Sequence, residues 1–116
     1  MITGYQVVTG TAVPVNGDVD KTIIAAQGSG KKLHLLRGII CITVAGTGGG
    51  GLCAIEDGVN GTRYVDVPAA AVGAFPFDFG DEGIPMTANT LLNATVDGAA
   101  TNQASARVTV VCKVVG

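Results

Sequence analysis

The chain has 116 residues, 47% of them hydrophobic and only 14% charged, with seven basic and nine acidic side chains that leave a formal net charge of -2. A chain of this length forms one domain that buries about two thirds of its unfolded surface, and its charged fraction falls well below the roughly 25% of an ordinary soluble domain. It has no basic stripe to neutralise phosphates, no apolar run reaching the roughly 18 residues of a membrane span and no signal-peptide pattern, so it is read as binding neither nucleic acid nor membrane and as made in a cytoplasm.

Turn signals cut the sequence into eight strand-sized segments. Tyr5 to Val13 is the first, and residues 1–13 are read as an N-terminal arm or edge strand set before a sandwich domain over 14–116. Asn16-Gly17-Asp18 turns the chain into Lys21 to Ala26, which Gly28-Ser29-Gly30 closes. Lys32 to Ala45 is long for a strand, and its Gly38 predicts a bulge or a bend that splits it between two sheets. The tip Gly46 to Gly51 predicts a hairpin into Leu52 to Glu56, which sets Cys41 and Cys53 roughly opposite each other. Asp57-Gly58 and Asn60-Gly61 lead into Thr62 to Val67, where alternation places Thr62, Tyr64 and Asp66 opposite Arg63, Val65 and Val67.

Phe75-Pro76-Phe77-Asp78-Phe79 puts three phenylalanines on one face, and Pro76, which cannot donate to a ladder, places this segment at an edge or a bulge. Asn89 to Val96 follows and ends at the turn Asp97-Gly98. Ser105 to Val115 is the last segment, with Val108, Val110, Cys112 and Val114 on one face. Eight short β segments with regular turn signals predict an all-β fold: a single-domain, eight-stranded antiparallel sandwich of the jelly-roll kind.

Chemistry-bearing residues are few. Acid–base and nucleophilic catalysis need a proton acceptor with a partner, and the single histidine, His34, alternates with Leu33 and Leu35 on a strand with no such partner in sight. Cys41, Cys53 and Cys112 are an odd number without paired spacing, which reads as buried reduced thiols, with a Cys41–Cys53 disulfide left open by the hairpin and zinc disfavoured. Gly28-Ser29-Gly30-Lys31 imitates the end of a phosphate loop, but Ala25 and Lys32 stand where Gly and Ser or Thr are required. Asp78, Asp81 and Glu82 crowd a loop without the spacing of a calcium site. The chain is therefore read as non-enzymatic, with no catalytic residue, metal or cofactor. Its candidate functional residues are partner contacts: Tyr5 and Val7 on the arm, and Phe75, Phe77 and Phe79, whose face serves either the core or a protein contact.

The run Lys31-Lys32-Leu33-His34-Leu35-Leu36-Arg37-Gly38, the glycine tip, and Gly83-Ile84-Pro85-Met86-Thr87-Ala88-Asn89-Thr90-Leu91-Leu92-Asn93-Ala94 before a Val-rich final strand resemble small β-sandwich virion proteins of tailed bacteriophages, especially capsid decoration or cement proteins. The resemblance implies a jelly roll that assembles as a homotrimer on the outside of the head, bridges subunits of the major capsid protein and resides in the virion. Low charge with abundant Val, Ala, Gly and Thr independently suits wide surfaces that close against copies of the same chain. The arm is the candidate for docking by strand addition. The alternative function is a receptor- or glycan-binding head of a phage fibre, using the glycine tip and the Asp78 to Glu82 loop. A cupin-like enzyme needs about three metal ligands, which one histidine does not supply.

Overall fold

The computed structural model describes residues 6–15, 20–46, 51–97 and 104–116. Their strands are β1 (Gln6–Ala12), β2 (Lys21–Ile24), β3 (Lys32–Val44), β4 (Leu52–Asp57), β5 (Arg63–Pro68), β6 (Gly73–Asp78), the two-residue β7 (Ile84–Pro85), β8 (Leu92–Asp97) and β9 (Ser105–Val115). Sheet A has the order β1-β9-β3-β6, with β7 also on β3, and sheet B the order β2-β8-β4-β5. Every pairing is antiparallel. Setting β7 aside, the chain crosses from one sheet to the other at every step except the β4–β5 hairpin, which is the interleaved connectivity of a jelly roll. No helix of the described residues is long and apolar enough to cross a membrane.

The core follows from period-two alternation corrected by bulges. On β9, Ala106, Val108, Val110 and Cys112 are fully buried and Arg107 is exposed, so one row faces sheet B and the other faces out. On β3 the apolar residues change parity: Leu33 and Leu35 are buried, and then Ile40 and Ile42. A strict strand would put these pairs on opposite faces. The extra residue is Leu36, where the register against β9 jumps from Leu35↔Cys112 to Arg37↔Val111, and it returns Gly38, Ile40 and Ile42 to the core side. β3 therefore bends within one sheet over 13 residues and is not split between two, and the bulge sits at Leu36 instead of Gly38.

Gly38 has a different task. A Cβ there would collide with the Thr109 carbonyl oxygen and lie 2.7 Å from Cζ of Phe77, whose ring occupies the space a side chain would take. Phe77 sits opposite Gly38 on edge strand β6, where Pro76 also lies, as its missing donor predicts. Gly38→Ala is expected to cost about 2 kcal/mol through overpacking between β9 and β6, seen as a lower urea midpoint at unchanged m-value. A midpoint equal to the parent's would mean that the strands yield without cost.

Three other expectations are corrected. The glycine tip does not close a hairpin, because β3 and β4 belong to different sheets, and the tip residues 47–50 lie outside the described residues. Cys41 is consequently half-buried on the outer side of sheet A while Cys53 is in the core, and all three cysteines are free thiols. A bulge at Tyr64 moves Arg63 beside Glu56, so it does not share the face of Val65 and Val67. Of residues 1–13, expected as an arm or edge strand, the described part forms β1 at the edge of sheet A: it pairs with β9 at seven positions, Gly10 packs on the Ile23 backbone, and Ala106 N–H donates to the Pro14 carbonyl at 3.0 Å. The expected turns at Asn16-Gly17-Asp18 and after Asp97 lie outside the described residues.

Candidate functional site

The two sheets present different outer faces. Outside sheet B, Ala54, Glu56, Asn93 and Thr95 alternate with core residues yet are themselves at most 3% exposed. They surround a polar cluster in which Asn93 Nδ2 donates to Asp20 Oδ1 at 2.8 Å and to Glu56 Oε1 at 3.0 Å, while Arg63 Nε donates to Glu56 Oε2 at 2.9 Å. Asn93 Oδ1 is buried and has no hydrogen-bond partner among the described residues. This arrangement fixes β2, β8, β4 and β5 together. Sequence reasoning missed it because Glu56 and Asn93 are far apart in the chain, and only the register Glu56↔Asn93 brings them together.

Sheet A, by contrast, leaves its outer face open. The register aligns Thr11, Thr109, Ile39 and Pro76 in one row across four strands, and Thr9, Val111, Arg37 and Asp78 in the next. A third row holds Val7, Lys113, His34 and Pro85, and at the opposite end Arg107 stands beside Cys41. Val7 is 55% exposed, Thr9, Thr11 and Pro76 are exposed, and the hydroxyls of Thr11 and Thr109 lie 3.2 Å apart. Between Arg107 and Arg37 the face carries no charge. A shallow, mostly apolar depression along Gly38, Ile39, Pro76 and Phe77, with Arg37 and Asp78 also in its lining, marks its β6 side.

The acidic loop closes one end of this face. Phe79 N–H donates to the Leu36 carbonyl at 2.7 Å, and Asp78 Oδ1 accepts from Gly80 N–H at 2.8 Å, which turns the chain back over the sheet. Gly83 has a φ of 69° and sits against the Leu35 carbonyl where no Cβ fits. Its carboxylates do not converge: Asp78 and Asp81 lie 3.8 and 3.4 Å from Arg37, and Glu82 reaches 3.9 Å from Nζ of Lys113. Lys113 itself is only 7% exposed beneath it. His34 Nδ1 donates to the Glu82 carbonyl at 2.9 Å, and its buried Nε2 has no partner among the described residues. His34 therefore anchors the loop. Among the described residues no three His, Cys, Asp or Glu side chains gather as metal ligands. The Gly28 to Lys31 segment is a turn, with Lys31 N–H on the Gly28 carbonyl at 3.1 Å, and β3 follows it directly.

The residues named from sequence as partner contacts are thus dispersed. Val7 lies on the open face. Phe75 and Phe77 face inward and pack against the core, and Phe79, 37% exposed and with its ring centroid 5.5 Å from that of Phe77, sits at the edge. Tyr5 is outside the described residues. Fold and site together define a small jelly roll with one sheet face open to solvent. Comparison with protein-family models, curated proteins and solved structures returns no match.

Proposed function

We propose that this chain is a non-enzymatic structural protein of a virion, a capsid decoration protein that assembles with copies of itself and holds to the major capsid protein by protein–protein contact. The observation that carries the reading is the open outer face of sheet A. Its central row of Thr11, Thr109, Ile39 and Pro76 is uncharged, with charged side chains in the rows toward both ends, and such a field of Thr, Ile and Pro loses little on desolvation and gains on burial. The jelly-roll connectivity and the resemblance of the Lys31–Gly38 and Gly83–Ala94 runs support the same reading.

The test is co-sedimentation with tailed-phage heads stripped of their decoration proteins. The expected result is saturable binding that raises the temperature at which heads release their DNA, and its loss in Thr109→Arg, which places a charge at the centre of the face without altering the melt of the free protein. Failure to bind any head, together with specific hits on a glycan array, would move the assignment to a fibre head.

A further inference from the structure

We infer that the open face of sheet A takes a second copy of this chain, packed face to face about a two-fold axis that runs across the strands. This rests on the reading that the face is an assembly surface, and it names the occupant. The most exposed charges lie at opposite ends of the strand direction, the carboxylates beside the less exposed Arg37 and Lys113. Arg107 is exposed at one end and makes no ion pair with a described residue, whereas the acidic loop stands at the other, with the side chains of Asp81 and Glu82 99% and 95% exposed. A two-fold axis across the strands sets β9 over β9 of the second copy in the opposite sense. Arg107 then stands over the row of Lys113, where Glu82 covers the buried ammonium, and the contact forms twice.

The middle of the face permits the same arrangement. The row Thr11, Thr109, Ile39 and Pro76 meets the row Thr9, Val111, Arg37 and Asp78, so no uncompensated like charges oppose each other, and Lys32 lies one row beyond the overlap. From Arg107 to Lys113 along the strand is about 20 Å and four strands span about 19 Å, a flat area of about 400 Å² per copy. That is roughly half of the ~800 Å² per partner of a standard stable complex. The pair is therefore weak, concentration-dependent and sensitive to salt, in place of the threefold ring that the resemblance implies.

Sedimentation equilibrium of the full chain over a range of concentration and salt tests it. The expected result is a monomer–dimer equilibrium whose dissociation constant rises at least about tenfold in Arg107→Glu and again in high salt, and returns to within about threefold of the parent when Glu82→Lys is added to Arg107→Glu. Thermal melts of each variant confirm that it folds. A parent that stays monomeric, a stable trimer, or an Arg107→Glu chain that dimerises like the parent would each overturn the two-fold pair. If the parent is monomeric while Thr109→Arg still abolishes binding to heads, the occupant is the capsid protein: the pair is refuted and the proposed function stands.

Discussion

Replacing Asn93 with aspartate is expected to remove about 3–5 kcal/mol of stability, the penalty typical of an uncompensated buried charge. Asn93 is 1% exposed and Glu56 2% exposed, and the Asn93 amide donates to two carboxylates at once. The substitution turns that donor into a third carboxylate within hydrogen-bond distance of Asp20 and Glu56, against the Arg63 guanidinium at 2.9 Å from Glu56. Because single domains are stable by only about 5–15 kcal/mol, a large part of the margin goes. Asn93→Ala separates the causes: it removes the donor without adding charge and is expected to cost about 1–3 kcal/mol. Urea unfolding of the two variants decides the matter. Equal midpoints would show that the charge is harmless and that the cluster is wetter than its burial indicates.

How much of this was legible in the sequence depended on whether a signal was local. Turn residues and apolar runs marked the strands closely, because Asn-Gly, Asp-Gly and Gly-rich segments act through their own backbone, and Pro76 announced an edge through its missing donor. What alternation could not carry was register. The consecutive Leu35-Leu36 pair before Arg37 was the one local hint that β3 changes parity, and without it Gly38 drew the attention as the bend. The same blindness put Arg63 with the core valines, since the bulge at Tyr64 is invisible until Glu56 is seen opposite Arg63. A glycine-rich tip looks alike whether it returns to the same sheet or crosses to the other, so the hairpin after β3 and the Cys41–Cys53 proximity failed together. The open face required both registers at once, as its rows draw on β1, β9, β3 and β6 from across the whole chain.

Stability should collapse above pH 9 through two thiols of the core. Burial pushes Cys53 and Cys112 up from an ordinary 9.0 to about 12, with the Leu36 backbone only partly opposing this at Cys112. Below pH 9 folded and unfolded chains both keep these protons, and stability is whole. Between 9 and 12 the unfolded chain releases protons that the folded chain retains, so unfolding gains on the order of 1.4 kcal/mol per pH unit for each thiol. Summed over the interval this rivals the entire stability of an ordinary domain. Tyr64, raised by burial and by the adjacent Asp57 carboxylate that accepts its hydroxyl, acts in the same direction. Far-UV circular dichroism against pH is thus expected to show cooperative unfolding between pH 9 and 12. The variant carrying Cys53→Ala and Cys112→Ala is expected to lose about 1–2 kcal/mol at each site at pH 7, where the deleted sulfur leaves a small void, yet to unfold over a shallower alkaline slope. If parent and variant share the same alkaline slope, the thiols are not the groups that titrate. The core around Leu35, Val110 and Cys112 would then admit water well before the fold is lost.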